Sequence, residues 1–257
     1  MVEVVVLGSG SKGNATLVRT ATSSILVDAG FSAKQLELRL GAVGQDPAAI
    51  DAVFVTHEHS DHVQGLRVFT RRHGVPVFAN DATIAACGAR AADVPEIIGF
   101  EAGATVSVRD FTVTSFTIPH DAADPMAFVI EAEGHRIGHA TDLGHVTGLV
   151  RLRLADCDAL VLEANHDRGM LMEGPYPWAT KQRVASRLGH LSNDMAAELV
   201  TEIVSERTRG LVLAHLSETN NHPYLAEFAV KNALDGERSH CTMQLARQEG
   251  PASPLVL

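Results

Sequence analysis

Long apolar runs are absent from this sequence, since no stretch approaches the roughly 18 consecutive apolar residues that a membrane span requires. Cysteine is also scarce. Cys87, Cys157 and Cys241 are scattered and odd in number, which excludes a disulfide framework and a CxxC zinc site. The first residues, MVEVVVLGSG, have the character of a strand rather than of a signal peptide. We therefore expect a cytoplasmic protein with no membrane association.

Aromatic residues are few as well, at 5% of the 257 residues, so the core must be built mainly from Val, Leu, Ile and Ala. Apolar residues still make up 46% of the chain, and no repeat or linker divides it, so we expect a single domain over residues 1–257. The formal charge of −10 predicts solubility rather than a general affinity for nucleic acid. A nucleic-acid substrate is not excluded, because metal ions and a few local cations can reverse the potential inside a cleft.

Strand and helix patterns follow one another in two groups. Three strand-like segments, VEVVVL, ATLVRT and SSILVDAG, predict an antiparallel meander, and FSAKQLELRLGAVG predicts a helix from Ser32 to a stop at Gly41. Further on, AFVIEAEGHRIGHATD predicts a hairpin that turns at Glu133 and Gly134, and a helix capped by Ser192 follows later. Two such groups predict an α/β fold in which two sheets pack face to face with helices outside.

The densest group of chemically active residues is VFVTHEHSDH, at positions 53–62. His57 and His59 lie two residues apart behind an apolar strand, so both imidazoles point the same way, and Asp61 and His62 follow where the chain turns into a helix. A lone histidine is usually structural. Four ligand-type residues in six positions exceed what one tetrahedral ion takes from a single loop, so the motif predicts two metal ions.

Further ligand-type residues stand at the ends of other apolar segments. His120 follows TSFTIP, Asp142 ends RIGHATD and His215 follows LVLA, and strands of one sheet aim such side chains at a common rim. The predicted ligands are His57, His59 and His120 for one ion, Asp61, His62 and His215 for the other, and Asp142 as a bridge between them. Because the set contains only His and Asp, it suits zinc or manganese, and iron as well.

Two segments outside this motif supply candidate catalytic residues. His190, in GHLSN, precedes a helix cap, where it can protonate a leaving oxygen as a general acid. Glu163, in LEAN, follows a buried strand and can orient that imidazole. A structural residue at a helix entry and a surface residue at a strand end are the alternative interpretations of these two residues.

Six residues are candidates for contact with substrate. They are Ser11, Asn14, Asn165, His166, Lys181 and Arg183. The first two belong to GSGSKGN, which can present N–H groups to an anion or simply make a hairpin turn. The two cations lie in YPWATKQRVASR, where aromatic residues beside cations are typical of a groove for a single strand. A solvated basic helix anchored by Trp178 would have the same sequence pattern.

The THEHSDH motif and the later His, Asp and His residues resemble the metallo-β-lactamase superfamily, whose signature is HxHxDH. This resemblance implies a four-layer αβ/βα sandwich of two mixed sheets with helices on both outer faces and the metals at one edge. It also implies that Asp28, in ILVDAG, supports the metal loop from behind without binding the metal. The alternative for Asp28 is a plain turn residue.

Over nearly the whole chain, the sequence resembles the YycJ/WalJ group of that superfamily. The segments that carry the likeness are LGSGSKGNAT, ILVDAGFS, THEHSDH, ATDLG, LEANHDRGML, GPYPW, GHLSND and LAHLSETNN. The group is regarded as metal-dependent 5′-to-3′ DNA exonucleases or related phosphodiesterases. The Glu and His motifs also resemble those of RNase Z, although Leu162 stands where that enzyme has His.

The function implied is a dinuclear metal-dependent phosphodiesterase with DNA as its substrate. In this mechanism a hydroxide that bridges the metals attacks phosphorus, Asp61 orients it, and His190 protonates the departing oxygen.

Other functions fit parts of the pattern. A small-molecule hydrolase, such as a cyclic phosphodiesterase, lactonase or thioesterase, would use the same metals, and the charge of −10 favours it slightly. His190 and the basic segment count against carbonyl substrates, because neither would be required. Electron transfer by two irons is disfavoured because His59 is intact where such relatives tend to have Glu. A regulatory binding role would predict that variants without the metal ligands keep their function in cells.

Overall fold

Two sheets of seven strands each make up the centre of this computed structural model, which describes residues 1–234 and 240–257. The first sheet contains β1 (Glu3–Gly8), β2 (Ala15–Arg19), β3 (Ser24–Val27), β4 (Ala52–Phe54), β5 (Val77–Ala79) and β6 (Ile97–Gly99). The second contains β7 (Thr105–Val108), β8 (Phe111–Thr117), β9 (Met126–Ala132), β10 (His135–Ala140), β11 (Ala159–Glu163), β12 (Gly210–Ala214) and β13 (Thr242–Leu245). Finally, β14 (Leu255–Val256) returns to the first sheet and pairs with β1.

Helices α1 (Ala33–Ala42), α2 (Ser60–Val63), α3 (Leu66–His73) and α4 (Asp81–Cys87) pack outside the first sheet, and α5 (Gly148–Leu154), α8 (Asn193–Ile203) and α9 (Pro223–Ala233) pack outside the second. Two further helices, α6 (Arg168–Glu173) and α7 (Trp178–Val184), lie between β11 and α8 in the chain, and short 3-10 turns occur at Pro47–Ala49 and Gly88–Arg90. Within the described residues, no helix is both long enough and apolar enough to cross a membrane.

Three apolar layers hold these elements together, and alternation along β1 shows how. Val4 and Val6 face the second sheet, whereas Val5 and Leu7 face the layer that contains Leu36 of α1. The third layer lies between the second sheet and helices α5, α8 and α9. The order helices, sheet, sheet, helices confirms both the predicted α/β fold and the four-layer sandwich.

Local sequence patterns predicted most of the strands, turns and helix ends compared here correctly. The meander β1–β2–β3 and the hairpin β9–β10 are both antiparallel, and Glu133 and Gly134 adopt φ values of 50° and 80° in the turn. The predicted stop of α1 at Gly41 is wrong, because the helix continues to Ala42. The glycine that ends this helix is Gly44, whose φ of 70° lets its neighbours bond the last free carbonyls of the helix.

The carboxyl ends of parallel strands meet at one edge of the sandwich. Strands β3 to β6 run parallel in the first sheet, and β10 to β13 run parallel in the second. Loops that leave these ends carry the residues with metal-ligand chemistry, because parallel strands direct their carboxyl ends to the same rim.

Candidate metal centre and catalytic residues

The loop after β4 and the short helix α2 place the HxHxDH motif at this rim, with His57 and His59 in the loop and Asp61 and His62 in the helix. The ring nitrogens of His57, His59 and His120 lie within 4.8 Å of one another. His57 Nε2 is 3.0 Å from His59 Nδ1, which is itself 3.3 Å from His120 Nε2. His120 comes from the loop after β8, more than 60 positions further along the chain, and its Nδ1 faces the carbonyl of Gly189 at 3.0 Å. The structure therefore brings together the three residues predicted for one ion.

A second cluster contains Asp61, His62 and His215, again with ligand atoms within 4.8 Å of one another. Asp61 Oδ2 lies 3.5 Å from His215 Nε2 and 3.6 Å from His62 Nε2. Asp142 stands between the two clusters, since its carboxylate lies 3.2 Å from His62 Nε2 and 3.6 Å from His120 Nε2. All seven predicted ligands thus face one small region.

The arrangement of donor atoms fits divalent cations. His59 Nδ1 faces two other imidazole nitrogens, and one proton can satisfy only one such contact, whereas a cation accepts lone pairs from all three rings. Asp142 Oδ2 is buried without a hydrogen bond of good geometry in the described chain. Nitrogen and carboxylate oxygen are donors that zinc, manganese and iron accept.

Burial and charge separate the protonation states of these histidines. Burial lowers the pKa of His57 well below its usual value, and the neighbouring His62 adds to this, so His57 is neutral as a metal ligand must be. Burial alone would lower the pKa of His215 too, but Asp142, Asp61 and Glu163 outweigh it and raise that pKa to about 10. A metal cation beside these carboxylates would therefore replace the proton that they stabilise on His215.

Asp28 supports the motif from beneath. Its Oδ1 accepts a hydrogen bond from the backbone N–H of Thr56 at 2.8 Å, and its Oδ2 lies 2.8 Å from His62 Nδ1. Thr56 itself was missed in the sequence, although it directly precedes His57. Its hydroxyl contacts Asp28 Oδ2 at 2.9 Å and His57 Nδ1 at 2.9 Å. Both rings are thereby held with their Nε2 atoms toward the centre.

Glu163 is fully buried, which excludes the alternative of a surface strand end. Its Oε1 lies 2.8 Å from His190 Nδ1 and 3.1 Å from His215 Nδ1, and its Oε2 accepts the N–H groups of Leu143 and Leu191. Burial alone would raise the pKa of this carboxyl, but His190 and His215 lower it to about 2. Glu163 therefore connects the candidate acid His190 to a candidate metal ligand.

The His190 ring lies between the two clusters, 5.1 Å from the His120 ring and 5.2 Å from the His215 ring. Burial alone would lower its pKa, but the Glu163 carboxylate outweighs this effect, so the pKa is raised. Since Nδ1 is held by Glu163, Nε2 is the nitrogen available to exchange a proton with a bound molecule.

The residues predicted to contact substrate fall into two sets. Ser11, Lys181 and Arg183 lie toward the surface, with Arg183 paired to Asp121 at 3.0 Å. Asn14, Asn165 and His166 are buried. Asn14 Nδ2 donates to Asp61 Oδ2 at 3.3 Å, and Asn165 Nδ2 donates to the carbonyl of His215 at 2.8 Å. These two amides hold ligand residues in place.

For two nearby segments the structure bears on alternatives that the sequence left open. In GSGSKGN, the N–H groups of Gly10, Lys12, Gly13 and Asn14 already donate to protein oxygens, so the loop does not offer a row of free N–H groups to an anion. Trp178 is 64% exposed and does not anchor α7. Val184 is the buried residue of that helix.

A second missed residue is Ser9. Its hydroxyl donates to Asn14 Oδ1 at 2.8 Å and accepts the N–H of His215 at 2.8 Å, which ties the loop after β1 to the loop after β12. Only its place in the GSGSKGN turn could have indicated this, because its partner lies 206 positions away.

Known proteins are similar to this chain in both sequence and fold. Residues 23–215 match the model of the beta-lactamase superfamily domain. The chain is 36% identical to exodeoxyribonuclease YycJ of Bacillus anthracis, over 90% of this chain and 88% of that protein. It is also 36% identical to exodeoxyribonuclease WalJ of Streptococcus pneumoniae strain D39, over 89% and 87%. The metallo-beta-lactamase fold protein YhfI of Bacillus subtilis superposes with a TM-score of 0.76 at 19% identity, covering 98% of this chain and 100% of YhfI.

Proposed function

This chain belongs to the beta-lactamase superfamily of metal-dependent hydrolases, and on that basis we propose that it is a dinuclear exonuclease that cuts DNA from the 5′ end. The exodeoxyribonuclease relatives supply the substrate class, because each is similar over nearly nine-tenths of its length. The contact of Glu163 with His190, beside a cluster that fits metals, is the observation that carries the reaction type.

Each cluster would bind one ion. His57, His59 and His120 would hold the first and Asp61, His62 and His215 the second, and Asp142 lies where it could contact both. Zinc or manganese is the proposed metal, with iron as a third option. When bound, two such ions lower the pKa of a shared water and offset the negative charge of the phosphate.

Asp61 and His190 are the proposed catalytic side chains. Asp61 is more exposed than the buried Asp142, with 20% of its side chain accessible against 2%, so its carboxylate can accept a hydrogen bond from the attacking water. His190 holds a proton on Nε2, Glu163 fixes the ring through Nδ1, and the proton passes to the oxygen that leaves phosphorus.

The proposed DNA contacts lie around this centre. Ser11 and Arg183 are exposed and Lys181 is half-buried, and we retain them, with Asn14, Asn165 and His166, as candidate substrate-binding residues. Lys181 and Arg183 would exchange their present contacts, the Met172 carbonyl and Asp121, for phosphate oxygens. Cys87, Cys157 and Cys241 are free and buried, which agrees with the cytoplasm as the proposed location. One domain over residues 1–257 remains our proposal for the organisation of the chain.

Cleavage of end-labelled duplex DNA in manganese or zinc tests this function. We expect stepwise shortening from the 5′ end by the wild type. In His190→Ala we expect turnover to fall by about 10²- to 10⁴-fold with unchanged metal content, because only the proton donor is removed. In Asp61→Ala, both turnover and metal content should fall.

His73→Ala is the matched control, because His73 also contacts a glutamate, Glu37, and its side chain is 15% exposed against 16% for His190. It should cleave as the wild type does. Fully metallated wild-type protein that leaves DNA intact but hydrolyses a cyclic nucleotide, lactone or thioester would replace DNA with a small-molecule substrate. Loss of metal in His190→Ala would make His190 a ligand or structural residue instead of the acid.

A further inference from the structure

A cavity opens beside the candidate metal centre, at the same edge of the sandwich. It has a volume of about 500 Å3 and is lined by the segment after His215 and by residues 246–249. This volume lies within the range of about 300–1,000 Å3 that is usual for small-ligand sites. Ser9 forms the wall that the cavity shares with the centre, because its hydroxyl accepts the N–H of His215.

The order of the strands explains why a cationic side chain, that of Arg247, lines this cavity. The parallel strands β10, β11 and β12 carry Asp142, Glu163 and His215 at or just beyond their carboxyl ends. The next parallel strand, β13, ends at Leu245, and Arg247 follows it by two residues, as Asp142 follows β10. Arg247 therefore extends the row of functional side chains by one strand, and its carbonyl accepts the N–H of Ser9 at 3.1 Å.

The guanidinium of Arg247 is available for a ligand. It is exposed and makes no hydrogen bond or ion pair with residues 1–234 or 240–257. By contrast, Arg39 and Arg183 are bound to protein oxygens. When no protein group occupies a guanidinium, two of its N–H groups can donate in parallel to two oxygens of one phosphate.

Other parts of the wall suit the same ligand. His222 and Pro223 begin helix α9, an 11-residue helix whose amino end carries partial positive charge. Leu216 and Ala246 supply apolar surface for a sugar or base.

Two carboxylates also line the cavity. Glu218 is paired with Lys12 Nζ at 2.6 Å, so its charge is offset. Glu249 is exposed, so water and salt screen it.

We infer that this cavity holds a phosphate group of the nucleic-acid strand next to the phosphate that is cut, with Arg247 as its contact. This inference rests on the proposed function, because it assumes that a strand crosses the metal centre. The group is either the phosphate monoester at the 5′ end or an internal phosphodiester, since both present oxygens that an arginine binds.

The test compares Arg247→Ala, Arg247→Lys and wild type in the metal-loaded form. Steady-state cleavage is measured on strands with a 5′-phosphate and with a 5′-hydroxyl. We expect Arg247→Ala to raise KM by about 10- to 100-fold with kcat nearly unchanged, because a charge-assisted bond to bound substrate is lost. Arg247→Lys should recover part of the loss, because it keeps the charge without the fork. Glu249→Gln should lower KM.

Arg209→Ala is the matched control. Arg209 is also exposed and has no side-chain partner among the described residues, but it precedes β12, whereas His215 follows it. Arg209 and His215 are therefore roughly 20 Å apart along β12. The control should leave KM unchanged. A rise in KM of Arg247→Ala that is confined to the 5′-phosphorylated strand identifies the terminal phosphate, and an equal rise on both strands identifies an internal one.

Binding measurements separate this inference from the proposed function. A fluorescent phosphorothioate strand keeps the charges of DNA and resists cleavage, so its anisotropy reports binding alone. If wild type binds this strand through Arg247 but cuts no DNA, the cavity is a phosphate site and the proposed nuclease function is wrong. If wild type cuts DNA and Arg247→Ala has the KM and affinity of wild type or of Arg209→Ala, the cavity is not a phosphate site.

Discussion

At the scale of single residues, the centre depends on backbone conformations that most side chains avoid. Asp28, Asp142 and His215 have φ values of 63°, 59° and 55°, and each stands within two residues of the end of a strand. Such left-handed residues cost on the order of 1–3 kcal/mol and persist where surrounding contacts hold them. Here the N–H of Asp28 bonds the Phe54 carbonyl, and that of His215 bonds Ser9. The sharp turn at each strand end directs the side chain into the centre.

The first prediction concerns Asp28→Asn. Asparagine tolerates the same backbone and can still accept the N–H of Thr56, but its NH2 group would face His62 Nδ1. His62 must then carry its proton on Nε2, the nitrogen that faces Asp142. We expect metal affinity to fall by about 10- to 100-fold, measured by competition with a fluorescent zinc chelator.

Asp46→Asn is the control for this change. Asp46 caps the 3-10 turn at Pro47–Ala49, and Asn caps a helix start equally well, so neither stability nor metal affinity should change. Wild-type zinc affinity in Asp28→Asn would show that Asp28 does not set the orientation of His62.

At the scale of elements, close contacts between loops hold the centre together, and glycine makes them feasible. A Cβ atom on Gly30 would lie 1.7 Å from the carbonyl oxygen of Asp61, and one on Gly189 would lie 2.2 Å from that of Val184. The first contact locks the loop after β3 against the metal loop. The second fixes the turn between α7 and His190.

The second prediction concerns Gly30→Ala. Because the added methyl group meets backbone atoms, the metal loop must move, and we expect a loss of about 3 kcal/mol or more in the free energy of unfolding. Metal content should fall as well, since Asp61 moves with its carbonyl. Denaturant unfolding and elemental analysis of the purified protein measure the two effects.

Gly41→Ala provides the comparison. Gly41 lies within helix α1 and has no atom within 4 Å of an added Cβ, so alanine should stabilise the protein by about 0.5–1 kcal/mol. If Gly30→Ala retained wild-type stability and metal, the contact with Asp61 would have no role in shaping the centre.

In the whole molecule, the centre exists because the two sheets are held in a fixed position relative to each other. Aromatic rings cross the space between them. Phe54 of the first sheet stacks on Phe78 at 4.7 Å and meets Phe128 of the second sheet at 5.9 Å. Phe54 is also the last residue of β4, directly before the metal loop, so packing between the sheets positions that loop.

The third prediction concerns Phe128→Ala. Phe128 is fully buried and also stacks on Phe100, so its truncation leaves a cavity between the sheets and should cost about 3–5 kcal/mol of unfolding free energy. Phe228→Ala removes a ring that is 53% exposed, and its effect should stay within about 0.5 kcal/mol. Equal midpoints for both variants in urea would contradict this account of the core.

Local signals in the sequence account for much of what was predicted correctly. The turn at Glu133 and Gly134, the cap at Ser192 and the strands of the first meander all depend on neighbours a few residues apart. The exception is the end of α1, where a second glycine three residues beyond Gly41 closes the helix.

Spacing of two or three residues sets which side chains share a face, so the alternating strands, the α/β fold and the ligand-rich motif could be predicted without coordinates. The sequence also indicated His120, Asp142 and His215 through their places after apolar segments. Contacts between distant segments, which local spacing does not reveal, add that Glu163 holds His215 as well as the predicted His190, and that Asn14 and Asn165 hold ligand residues. They also place Arg247 in the neighbouring cavity. Those partners are 27 to 52 positions apart, and they meet because the ends of strands from both sheets lie at one edge of the sandwich.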